Sequence, residues 1–160
     1  GGQVYRIATN AETTVTTAGA SIGTNYFFAK NYTAGINYSY NQLNKKNNLD
    51  PIIPAFNTPK NKFNLSLSGQ NIAIKKLKMK DLGFSINYKW IQGFKFEGSP
   101  QFTGDVPTYW LLDAMLSKTI PKCKAMIKMG ASNITNNMVM QVYGGPRIGR
   151  MAYFSVYFDL

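Results

Sequence analysis

The side chains that do covalent chemistry are nearly missing from this sequence. There is no histidine among the 160 residues and one cysteine, Cys123. Ser-His-Asp and Cys-His nucleophilic catalysis therefore cannot be assembled from the chain. Most zinc and non-haem iron sites lose their commonest ligand as well. Cys123 has no internal partner for a disulfide and reads as an unpaired surface thiol. No enzymatic activity, no cofactor and no metal site are expected.

What remains is chemistry of contact. Asn37, Asn41, Ser66, Asn87, Lys89, Asp113 and Ser132 can donate or accept hydrogen bonds in a wet environment. Phe56, Phe96, Phe102, Tyr109, Tyr143 and Arg147 fall in segments that also carry Pro51, Pro54, Pro59, Phe94 and Pro107. Stiff aromatic loops of this kind can form a vestibule for a ligand, because rigid rings bind with little loss of entropy. The same rings could equally pack loop against loop. Lys75, Lys76, Lys78 and Lys80 form a basic run interleaved with Leu77 and Met79. The run lacks a stacking platform and a nucleic-acid motif, so anionic head groups are its expected neighbours and no nucleic acid is expected.

The composition agrees with contact rather than catalysis. The chain has 18 Lys+Arg against 7 Asp+Glu, a net charge of +11, and 14% aromatic residues. Charged residues make up 16%, well below the roughly 25% usual in soluble domains. High aromatic content argues against disorder. No apolar run approaches the roughly 20 residues of a membrane helix, and no export signal is visible at the N-terminus.

The elements that must position these groups follow from a period of two. Tyr32, Ala34, Ile36, Tyr38 and Tyr40 alternate with Thr33, Gly35, Asn37, Ser39 and Asn41. Successive strand side chains point to opposite faces, so the segment has one apolar and one polar face. Residues 62–69, 82–90 and 153–160 repeat the pattern, and residues 13–29, 109–120 and 124–134 follow it less purely. These are seven expected strands; Val4 to Ala8 is a doubtful eighth. A soluble antiparallel sheet with one buried face is the ordinary reading of such alternation. The strands are nevertheless long, about ten residues, as a tilted crossing of a hydrocarbon layer requires. Their polar parity is Asn, Ser, Thr and Gly, which suits the hydrated inside of a barrel.

Connection lengths give a second indication. Residues 44–60, 95–107 and 135–149 are long, whereas 30–32 and 121–123 are short and 71–81 is of middling length. Long connections on every second junction match a barrel with short periplasmic turns and long external loops. Tyr26, Phe28, Tyr32 and Phe158 fall near one end of the strands; Tyr38, Tyr40, Tyr88, Trp90 and Trp110 fall near the other. Two such belts are expected where amphipathic rings meet head groups.

Gly130-Ala131-Ser132-Asn133-Ile134-Thr135-Asn136-Asn137 resembles the penultimate strand of TonB-dependent outer-membrane receptors. Tyr143-Gly144-Gly145-Pro146-Arg147-Ile148-Gly149-Arg150, leading into an aromatic final strand, is similar to their last loop and strand, and Tyr109 to Ser117 to the strand upstream. Residues 51–59 and 88–104 resemble members from Bacteroidetes.

The resemblance covers nearly all of residues 1–160. It implies an all-β fold, a segment of an antiparallel transmembrane β-barrel supplying 7–8 of about 22 strands. It further implies a place in the cell outer membrane and active nutrient uptake, with the plug domain absent from this stretch. The implied partners are outer-membrane lipids, the protein's own N-terminal plug and the rest of the barrel, and the TonB energy-coupling complex reached through the absent N-terminal part. A surface lipoprotein or other subunits are also consistent with it. Asn37, Asn41, Asn87, Lys89 and Asp113 would then face the lumen. A complete eight-stranded outer-membrane protein with a structural or adhesive role is the alternative, and the nutrient itself is not legible.

Overall fold

The computed structural model describes residues 15–45, 56–98 and 102–158, so the doubtful strand at Val4 to Ala8 lies outside the described residues. The fold is all-β, with no α-helix among those residues. One seven-stranded antiparallel sheet carries β1 (Val15–Phe28), β2 (Tyr32–Lys45), β3 (Asn61–Ile74), β4 (Met79–Ile91), β7 (Tyr109–Ile120), β8 (Ala125–Ser132) and β11 (Met151–Phe158), in that order. Four short strands make two hairpins inside the long connections: β5 (Phe94–Glu97) with β6 (Thr103–Val106), and β9 (Val139–Met140) with β10 (Arg147–Ile148).

The seven expected strands are the seven of the large sheet. The main difference falls at residues 71–81, where β3 and β4 continue to within a four-residue turn of each other. Register shifts occur between Gly69 and Ile72 and between Ile72 and Ile74, and Asn71 and Asp81 take left-handed φ of 51° and 57°. Asn and Asp tolerate that region better than other side chains. Each bulge moves the apolar residues to the other parity, so Ile72, Ile74 and Met79 no longer look like strand residues in sequence.

The register aligns the alternating faces of all seven strands. Tyr38, Phe63, Trp90 and Trp110 form one cross-strand row; Ile36, Leu65, Tyr88 and Leu112 form the next. Phe84, Leu116, Met129 and Phe154 make another row further along. Between these, Ala114, Ala131 and Ala152 leave an open, carbon-lined hollow of about 790 Å³. Among the described residues no second layer packs on this apolar face. Ile36 is 41% exposed, Leu65 40% and Phe158 66%.

A compact core exists elsewhere. Val106, Tyr109 and Val139 are buried and pack with Ile91, Phe94, Phe96, Leu111 and Ile148. Ile91 pairs with Tyr109, and Leu111 with Lys89, on the polar-face parity. The two small hairpins therefore fold over one end of the polar face and cover the apolar residues that interrupt it there.

Short turns lie at one end of the sheet, at residues 29–31, 75–78 and 121–124. The strand ends joined through residues 46–60, 92–108 and 133–150 lie at the other.

Candidate functional site

The residues expected to face a lumen share one face. Asn25, Gly35, Ser66, Asn87 and Asp113 form a continuous cross-strand row, and Gly23, Asn37, Asn64 and Lys89 form its neighbour. Small residues make this crowding possible. A Cβ at Gly23 would overlap the Asn37 amide, and one at Gly35 would press on Ser66 Oγ and Asn25 Oδ1. Asn41 continues the face toward the long connections, its N–H donating to Lys60 O at 2.8 Å. Ser132 lies on the same parity at the end of β8, opposite Met151.

Opposite charges meet on that face. Lys89 Nζ donates to Asp113 Oδ2 at 3.1 Å. Asp113 Oδ1 accepts from the backbone N–H of Asn133 at 2.9 Å. Next to Lys89 in register, Asn64 Oδ1 is buried and has no hydrogen-bond partner among the described residues. An unsatisfied buried acceptor carries a desolvation penalty, so this face is chemically incomplete beside Lys89.

Asn133 is a hub that sequence reading did not single out beyond its motif. It is 3% exposed and left-handed, with φ 51°. Its Oδ1 accepts from Asn137 N at 2.9 Å, and its Nδ2 donates to Asn137 O at 2.8 Å and Ile148 O at 3.3 Å. Asn136 Oδ1 accepts from Arg150 N, and Asn137 Nδ2 donates to Trp110 O. The amides of the run Asn133–Asn137 thus lace the last long connection to β7 and to the approach of β11. Its signal in the sequence was the density of asparagine after an alternating strand.

The vestibule candidates divide among four environments. Tyr109 is buried in the small core and Phe96 packs against it. Phe102 and Tyr143 are used reciprocally. The Tyr143 ring lies where a Cβ of Gly104 would be, and the Phe102 ring where a Cβ of Gly144 would be, with Gly144 at φ +74°. The β5–β6 and β9–β10 connections are therefore interlocked ring on glycine, while one side of each ring stays exposed. Arg147 stands exposed on β10, paired with Met140.

Phe56 lines a cleft with Asn41, Lys60, Gln92, Lys95 and Glu97. Asn57 ties this segment to β5 by two bonds, accepting from Glu97 N and donating to Glu97 O. Asn61 Nδ2 donates to Gln92 Oε1 across the mouth of β3 and β4. Of the candidates, Phe56 and Asn41 line one cleft, and Asn37 and Lys89 line another. The arrangement can bind by ring contact, amide hydrogen bonding and charge.

Among the described residues no three His, Cys, Asp or Glu side chains gather as metal ligands. Cys123 is exposed in the 3-10 turn Pro121–Cys123.

No family model matches the chain, and no curated protein matches it.

Proposed function

We propose that this chain is the C-terminal barrel section of a TonB-dependent outer-membrane receptor that imports a nutrient. The observation that carries the reading is the uncovered apolar face, continuous over seven strands and edged by aromatic rows. Contiguous exposed apolar surface of this extent marks contact with lipid or with another protein. A row of Tyr38, Phe63, Trp90 and Trp110 near the long connections, and of Phe28, Tyr32 and Phe84 near the short turns, has the spacing of interfacial belts. Tyr32 to Tyr40 is a stretch of nine residues on β2, which suits a tilted strand crossing a hydrocarbon layer.

On this reading the barrel does no covalent chemistry. The wall supplies closed backbone hydrogen bonding, the polar face lines the route past the plug, and the Phe56 cleft with the interlocked hairpins receives ligand outside. The plug partners the incomplete polar face beside Asn64 and Lys89, and the energy-coupling complex acts through the plug. A lipoprotein lid or other subunit would meet the long connections.

A complete eight-stranded barrel is the second reading. In that reading a strand from outside the described residues would stand between β1 and β11, the outer strands of the large sheet.

Cell fractionation tests both. The native protein is expected in the outer membrane, in a polypeptide several times heavier than 17.9 kDa, with uptake that stops when the inner-membrane proton gradient is dissipated. A 17.9 kDa membrane species would support the small barrel, and a water-soluble protein would overturn both.

A further inference from the structure

The three short turns share a feature that backbone energetics disfavours. Between β1 and β2, Ala29 and Lys30 both take positive φ, 47° and 61°. The other two turns repeat one frame, Ile74-Lys75-Lys76-Leu77-Lys78 and Ile120-Pro121-Lys122-Cys123-Lys124. Each is a single 3-10 turn closed by a left-handed lysine, Lys78 at φ 50° and Lys124 at φ 47°. Their N–H groups donate to Lys75 O at 3.2 Å and Pro121 O at 3.1 Å. Glycine or asparagine takes this conformation at least cost. All three turns place a lysine there instead.

The charge collected at this end is one-sided. Lys30, Lys75, Lys76, Lys78, Lys122 and Lys124 are all exposed. Lys80 opens β4, and Lys118 lies on the apolar face itself, between Leu82 and Ile127 in register. Among the described residues Asp81 is the sole carboxylate at this end. At the opposite end Glu97 and Asp105 are interspersed with Lys95 and Arg147.

On β1 and β2 the order is apolar row, then the rings of Phe28 and Tyr32, then Lys30. On β3 and β4 the apolar face runs on past Phe84 through the pairs Ile72–Leu82 and Ile74–Met79 to the lysines of the turn. The first is the order of hydrocarbon, interface and phosphate in a lipid leaflet, and Lys118 can run its stem over the apolar face while its ammonium reaches outward.

We propose that the short-turn end is a seat for the head groups of anionic glycerophospholipids. The proposal rests on the reading that the apolar face lies in lipid. Single ammonium groups spread over three separate turns match an array of phosphodiesters. Among the described residues no buried polar side chain builds a pocket there for one free phosphate, and none of the three turns carries a ring on which a base could stack.

The test uses the full-length protein in mixed nanodiscs of phosphatidylcholine and phosphatidylglycerol. Retained lipids are counted by native mass spectrometry after release, with and without K75Q, K76Q, K78Q, K122Q and K124Q combined. The unaltered protein is expected to retain phosphatidylglycerol over phosphatidylcholine by about tenfold, and the variant to lose most of that preference. Equal retention by the unaltered protein, or an unchanged preference in the variant, overturns the seat. Capture of a single-stranded oligonucleotide without phospholipid preference overturns it too and assigns the lysines to nucleic acid.

Quenching of Trp90 and Trp110 by brominated acyl chains reads the underlying premise separately. Quenching in both proteins shows that the variant is folded in lipid. Quenching without head-group preference sinks the seat alone, and no quenching in the unaltered protein sinks the lipid-facing reading with it.

Discussion

Lys89 and Asp113 meet one rung out of register. The ladder places Lys89 opposite Leu111 and Asp113 opposite Asn87, yet Lys89 Nζ reaches diagonally to Asp113 Oδ2 at 3.1 Å. Because Asp113 Oδ1 also holds Asn133 N, one carboxylate ties β4, β7 and the end of β8 together. The pair is partly open to solvent, with side chains 44% and 27% exposed, so its direct Coulomb contribution is modest. The backbone N–H that Asp113 satisfies matters more.

Substitutions at this pair should therefore be unequal. K89M is expected to cost no more than about 1 kcal/mol, as for an exposed ion pair. D113A strands the Asn133 N–H as well and should cost about 2 kcal/mol. Urea unfolding of the full-length protein in detergent compares the two. Equal losses would mean that Asp113 acts only through Lys89.

Asn133 should tolerate neither loss of its amide nor loss of its backbone freedom. N133A removes three side-chain hydrogen bonds and places a Cβ residue without local compensation at φ 51°, for an expected loss of about 2–4 kcal/mol. N133G keeps the conformation and loses only the bonds. Both should raise amide exchange at Asn137 in hydrogen-exchange measurements, with N133A raising it further. Unchanged exchange in both would show that the loop is held by other contacts.

The two faces of β3 should respond oppositely to charge. L65R places a guanidinium on the uncovered apolar face and, in a lipid-facing wall, should cost about 2–4 kcal/mol and block membrane assembly. S66R, one residue on, points to the polar face and should assemble, with a smaller loss from crowding at Gly35. Heat-modifiable mobility of the assembled barrel reads both. Normal assembly of L65R would argue that water wets that face.

The interlock between the two small hairpins is expected to fail from either side. G104A would drive a methyl into the Tyr143 ring, and G144A would add backbone strain and press on Phe102. Each should raise exchange in both β5–β6 and β9–β10, although each alters one of them. Exchange confined to the altered hairpin would show that the rings do not couple them. The double variant should be less than additive, because residues in contact share one interaction.

Much of the large sheet could be read from alternation alone, because a half-exposed strand writes its two faces into parity. Residues 71–81 were less legible since the bulges at Asn71 and Asp81 reverse that parity in mid-strand. Ile91 and Leu111 break the polar parity of β4 and β7, and Tyr109 reads from the sequence as a vestibule ring. Their burial depends on hairpins made from four-residue and two-residue strands, too short to carry a periodic signal. Phe102 and Tyr143 were recognisable as sticky side chains, but pairing each with the other's glycine neighbour requires knowing that residues 39 and 42 positions apart meet. Asn133 was hidden for a related reason. A buried asparagine is identified by the carbonyls around it, which come from Asn137 and Ile148.

The neighbour-to-neighbour order of the large sheet has a consequence for biogenesis. Each of its strands hydrogen-bonds to the next one of the same sheet along the chain, so no pairing within it waits for a distant segment to arrive. Such a wall can be laid course by course, every finished ribbon serving as template for its successor. In the proposed barrel the costly long-range entropy of loop closure is then deferred to the outer margins of β1 and β11.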